Sequence, residues 1–164
     1  MTGRRRRLER FEFVPDDSAM VVACMTQLAA ARNGWINLLP GIVDDEEGPS
    51  MPTGLTALFG AGNPGVTMCT WVPAGSDRRG RDPTRLGIMH ACGRGASDRL
   101  RARDIAIPEG WFVEQNHPRR GLVIRVPPGE PHEVVLDWTL RAGRALCNVR
   151  LTGTWEAEVH FPPG

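Results

Sequence analysis

The sequence predicts an α+β domain, mostly β: an antiparallel sandwich or barrel of six to seven short strands with one packed N-terminal helix. Three observations lead there. The stretch Ala19–Ala31 holds 11 apolar residues of 13, which suits a buried helix and falls well short of the roughly 20 apolar residues a membrane span needs. From Val66 onward, apolar runs too short for a helix recur between Pro and Gly residues, the spacing of sandwiches and barrels. The chain has 164 residues, the size of one domain, enough to bury roughly two-thirds of its unfolded surface without disulfide or metal staples.

Residues 1–9 read as a mobile basic arm, polar and self-repelling, and 10–164 as a single globular domain. Arg10–Val14 reads as a strand that Pro15 stops. Asp16 and Asp17 stand where a helix N-terminus favours negative charge. The helix then runs to about Arg32, and Asn33-Gly34 is a fitting stop. Trp35, Ile36, Leu38 and Leu39 are apolar enough to pack on it. Asp44–Glu47 with Gly48, Pro49 and Pro52 reads as an exposed loop. Strands are expected at Val66–Val72, Arg85–Cys92, Leu100–Ile107, Trp111–Asn116, Gly121–Val126, His132–Leu140 and Thr154–Phe161. The last alternates cleanly: Trp155, Ala157, Val159 and Phe161 share one face, and Glu156, Glu158 and His160 the other. In the run before it, Val134, Leu136, Trp138 and Leu140 share a face.

All 20 basic side chains are Arg; there is no Lys and no Tyr. Schiff-base and P-loop lysine chemistry are therefore excluded, as is a tyrosine acid or base. The net charge is +1 and the pI about 7.8, below the pI above about 9 usual for a basic nucleic-acid binder. Charge is uneven, however. Residues 76–104 carry eight Arg against four Asp, and Arg78, Arg79 and Arg81 are the candidates for contact with nucleic acid or an acidic partner. No aromatic residue lies among them to stack on a base. The basic run Arg4–Arg7 leads into Glu9, Arg10 and Glu12 rather than an apolar signal core. Cys24, Cys69, Cys92 and Cys147 are widely spaced and form no C-x-x-C, so they read as reduced thiols of a cytoplasmic protein with no membrane segment.

The sharpest motif is Gly121-Leu-Val-Ile-Arg-Val-Pro127-Pro128-Gly129-Glu130-Pro131-His132. Over residues 121–136 it resembles the second motif of the cupin family, with Leu136 where that family has Asn; the first motif is absent. The resemblance implies a barrel in which His132 points inward to a metal. On a strand, His90 and Cys92 would share a face, so His90, Cys92 and His132 are the candidate metal ligands, with Zn or Fe suited to them. A metal-free barrel and an ordinary Pro-Gly hairpin remain alternative readings of the same residues.

Gly60-Ala-Gly62-Asn-Pro-Gly65 is a literal G-x-G-x-x-G, but Pro64 and the β-rich run after it oppose the helix a dinucleotide site requires. No Ser sits in a G-x-S-x-G elbow, and no residue earns a catalytic role. Glu156, Glu158 and His160 could do acid–base work but fit a solvated strand face better. His117 fits a turn. Trp138 and Trp155 belong to apolar faces and read as core. The expectation is a soluble β-rich binding domain for a partner protein, a second copy or a small ligand, with His90, His132 and Trp138 lining the pocket. The alternatives are a cupin-like enzyme with a divalent metal, and a nucleic-acid-associated accessory protein. No cofactor is assured.

Overall fold

The computed structural model describes residues 6–43, 65–75 and 82–163. The strands are β1 (Arg7–Phe13), β2 (Trp35–Ile42), β3 (Met68–Val72), β4 (Thr84–Met89), β5 (Phe112–His117), β6 (Gly121–Val126) and β7 (Leu151–Phe161). They form one sheet in the order β1-β7-β2-β3-β4-β6-β5, and every pairing is antiparallel. The helices are α1 (Ala19–Ala31), α2 (Ala96–Ala102) and α3 (His132–Leu146). The class is therefore α+β, mostly β and antiparallel, as the sequence predicts. The sheet is single and open, with β1 and β5 as its edges, instead of a sandwich or barrel.

Register explains where the core sits. Phe13 stands opposite Trp155, Leu38 opposite Ala157 and Cys69, Trp71 opposite Ile36 and Leu86, and Ile88 opposite Leu122. Alternation puts all of them on one face, and all are buried. The helices cover that face, α1 through Val21, Cys24, Met25 and Leu28 and α3 through Val135, Trp138, Thr139 and Leu146. Each fully buried aliphatic side chain contributes about 1.5–3 kcal/mol. β1 and β2 both run antiparallel to β7, which lies between them. They are thus parallel to each other, which requires a long crossover, and α1 supplies it.

Five local expectations are corrected. His132–Leu140 is the start of α3, not a strand. Its buried residues Val135, Trp138, Thr139, Ala142 and Leu146 follow helical spacing, and Val134, expected inside, is 45% exposed. Leu100 lies in α2, whose buried side chains are Ala96 and Leu100, so Leu100–Ile107 is no strand. Trp35–Leu39 begins β2 and does not merely pad the helix. The arm expected over 1–9 is shortened, since Arg7, Leu8 and Glu9 pair with Phe161, His160 and Val159. Asp16 and Asp17 do not cap α1; Ser18 stands at the N-cap, and no side chain makes a cap bond there.

The expected end of α1 holds. Arg32 adopts φ 53°, and its N–H reaches the carbonyls of Leu28 and Ala29. Gly34 follows at φ +89°, where a Cβ would lie 2.4 Å from the His160 carbonyl oxygen. Only glycine fits so close an approach.

Candidate functional site

One end of the sheet builds a cleft. The C-terminal ends of β3 and β6 meet the N-terminal end of β4 there, bringing in Trp71, Val126 and Thr84. The last turn of α1 adds Ala29 and Arg32, and the first turn of α3 adds His132 and Val135. The turn Pro127-Pro128-Gly129-Glu130 closes the rim, with Gly129 at φ 81°. The cleft volume is about 370 Å³, within the range of small-molecule sites.

The polar groups of the cleft are held from outside it. Thr26 Oγ donates to the Val22 carbonyl at 3.1 Å and lies 3.2 Å from His132 Nδ1. An Arg32 N–H donates to the Gly75 carbonyl at 3.0 Å. Glu130 accepts the Trp111 indole N–H at 3.2 Å. The His132 ring meets the Trp71 ring edge-on, with centroids 5.6 Å apart. Trp71 itself is 3% exposed, and among the described residues its indole N–H has no acceptor. A buried donor without a partner costs about 1–3 kcal/mol.

The sequence-predicted site residues do not gather in one place. His132 lines the cleft. His90 follows the far end of β4, about six residues or roughly 20 Å of strand from Thr84. It is 9% exposed, its Nδ1 accepts the Cys92 backbone N–H at 3.2 Å, and its Nε2 has no partner among the described residues. Burial lowers its pKa below the ordinary value. Cys92 donates its thiol to the Leu146 carbonyl and accepts from Arg99. Trp138 is core: its N–H donates to the Ala106 carbonyl at 2.9 Å, and its ring packs edge-on to Trp111. Among the described residues, no three His, Cys, Asp or Glu side chains are grouped to hold a metal, so His90, Cys92 and His132 do not form one centre. Arg78, Arg79 and Arg81 lie outside the described residues, as do residues 60–64 of the glycine motif.

Residues 127–130 of the Gly121–His132 motif contribute their turn to the cleft, but His132 arrives on a helix. No family model, curated protein or solved structure matches the chain. The site must therefore be read from its own geometry.

The opposite sheet face carries a second polar group. Glu158 is only 5% exposed there, although Glu156, Glu158 and His160 were expected to be solvated. It accepts from Arg10 at 3.3 Å and Asn37 at 3.5 Å, and bonds His160 Nε2 at 2.6 Å. Trp35 stacks on His160 with centroids 4.3 Å apart. Among the described residues, no buried side-chain atom of this network lacks a partner. His117 is the turn residue expected, its Nδ1 accepting the N–H groups of Arg119 and Arg120.

The residues that sequence reasoning missed are Trp71, Arg32, Glu130 and Thr26. Only the helix stop at Asn33-Gly34 hinted that Arg32 would sit at a helix end. Nothing local marks the Trp71 N–H as unpartnered, because that depends on β4, α1 and α3 arriving around it.

All four cysteines are free thiols; Cys24, Cys69 and Cys147 are buried and Cys92 is half-buried. Burial raises the pKa of Cys24 and, far more, that of Cys69, so neither supplies a thiolate nucleophile. No described helix is long and apolar enough to cross a membrane.

Proposed function

We propose that the protein is a small-ligand binding domain whose site is the cleft between Trp71, Arg32 and the first turn of α3. One observation carries the reading: Trp71, whose buried indole N–H has no acceptor among the described residues, lines a concave site of about 370 Å³. A fold retains such a donor at a cost unless something satisfies it, and a ligand acceptor would do so. The mixture of apolar wall and a few convergent polar groups supports the same conclusion. The free, mostly buried thiols fit a reducing compartment, and we place the protein in the cytoplasm on that ground.

The test is a screen of small acids, amines, alcohols, sugars and nucleosides by NMR on the ¹⁵N-labelled protein. A ligand of this cleft moves the indole N–H signal of Trp71, assigned from a Trp71→Phe variant. A panel in which no compound moves that signal at millimolar concentration overturns the reading.

A further inference from the structure

The donors around the cleft specify the class of ligand, on the premise that the cleft binds one. The first is the N-terminus of α3, a 15-residue helix with Pro131 at its N-cap and no side-chain cap bond. Pro131 accepts from the N–H groups of Val134 and Val135. Among the described residues no acceptor meets the N–H groups of His132 and Glu133. A helix end of this kind carries positive partial charge and attracts anions. The second, independent of the helix, is the Trp71 indole N–H, on a side chain that is 3% exposed. The third is Arg32, which gives one hydrogen bond to Gly75 and makes no ion pair with the described residues. The single acid of the wall, Glu130, is engaged by the Trp111 N–H.

Donors thus outnumber acceptors, even counting the Thr84 hydroxyl, which accepts from the Ala74 N–H, and a ring nitrogen of His132, and most of the remaining wall is apolar: Ala29, Val126, Pro127 and Val135. We infer that the cleft takes a small organic carboxylate with an apolar body. Its carboxylate faces the start of α3 and the Arg32 guanidinium, and its body lies on the apolar wall. The Trp71 N–H is closed off from solvent, so contact with it requires neighbouring side chains to give way. The His132 ring packs edge-on to Trp71 and lies within hydrogen-bond distance of Thr26.

Benzoate is the probe, compared with benzyl alcohol and benzylamine, which keep the ring and change the charge. Binding is followed by NMR on the ¹⁵N-labelled full chain. Benzoate is expected to shift the Trp71 indole signal and the amides of His132 and Glu133. It should bind at least about tenfold more tightly than the other two, a difference of roughly 1.4 kcal/mol. Arg32→Gln, a change at an exposed position, should weaken benzoate about tenfold and leave benzyl alcohol unchanged. If benzyl alcohol or benzylamine binds these residues as tightly as benzoate, the carboxylate assignment falls and the cleft stands as a site. The assignment also falls if benzoate leaves the three signals unmoved while another class of compound moves them. If nothing moves them, both readings fall.

Discussion

Thr26 Oγ stands 3.2 Å from His132 Nδ1, the contact that bears on the tautomer of that ring. The Thr26 hydroxyl has one proton, and it points to the Val22 carbonyl, which can only accept. With the proton there, its oxygen accepts from His132 Nδ1, 3.2 Å away. In that arrangement the neutral imidazole carries its proton on Nδ1 and leaves Nε2 as a lone-pair acceptor. Thr26→Val keeps the shape and removes the bond. Being exposed, this bond is worth about 0.5–1 kcal/mol, the low end for a hydrogen bond. The variant should unfold at slightly lower urea concentration and lose the preference for the Nδ1–H tautomer in the ¹⁵N spectrum of His132. A spectrum unchanged from the parent protein would show that Thr26 does not set the tautomer.

Gly143 reverses the usual effect of a helical glycine. In an unpacked helix, Gly→Ala gains about 0.5–1 kcal/mol. Here a Cβ would stand 2.7 Å from Cys69 Sγ and 3.0 Å from Trp155 Cη2. Both neighbours are buried on the sheet, so α3 must lift or the side chains must strain. Gly143→Ala is expected to destabilise by about 1–3 kcal/mol, the cost of overpacking. Adding Cys69→Ala opens room for the methyl group. The double variant should therefore be more stable than the sum of the two single effects, read from denaturant midpoints.

The strands whose apolar residues alternate between clear breakers were legible: β3, β6 and β7 fall close to where the sequence puts them, and β4 does so except that it ends at Met89, short of the expected Cys92. α3 was not, because Val134, Leu136, Trp138 and Leu140 happen to alternate as a strand would. The discriminating signal lay in Glu133, Asp137 and Arg141, spaced by four, and in the buried run that continues to Leu146. β2 was hidden by Pro40, which argues against a strand. Proline is tolerated there because the pairing with β7 breaks register between Pro40 and Ile42, and the β3 pairing covers only Ile36–Leu38. His132, expected to line a pocket, does line the cleft. Its partners were not legible, since Trp71, Arg32 and Thr26 come from elements that meet only in three dimensions.

His90 makes stability depend on pH near neutrality. Burial lowers its pKa below the ordinary 6.5, so the unfolded chain takes up a proton more readily than the folded one. Its contribution is full above pH 6.5 and is lost as the pH falls from there through the lower folded-state value. The slope from one such group is at most about 1.4 kcal/mol per pH unit. His90→Gln keeps an acceptor for the Cys92 N–H and removes the titration. Urea midpoints measured between about pH 7.5 and 5 should fall less steeply for the variant. Parallel curves would assign the pH dependence to other groups.

Glu114 ties the exposed edge strand to its neighbours. Its carboxylate receives Arg85 of β4 at 2.8 Å and Arg125 of β6 at 2.8 Å. It stands on β5, where Phe112 is 59% exposed and Val113 36% exposed, so the strand has little apolar burial of its own. The hydrogen bond from Arg85, then that from Arg125, holds the carboxyl below the ordinary glutamate value of 4.5. This stability is present above 4.5 and is lost as the pH falls through the lower folded-state value. Each partly exposed pair contributes on the order of 0.2–1 kcal/mol. Glu114→Gln should therefore lower stability modestly at pH 7 and flatten the acid limb of the stability curve. The larger effect should be local. Amide exchange in β5 should rise while that of β3 and β7 stays at the global rate, because an edge strand opens without the core. Equal protection of β5 in the variant and the parent protein would mean that its backbone pairing with β6, and not the two arginines, holds the edge.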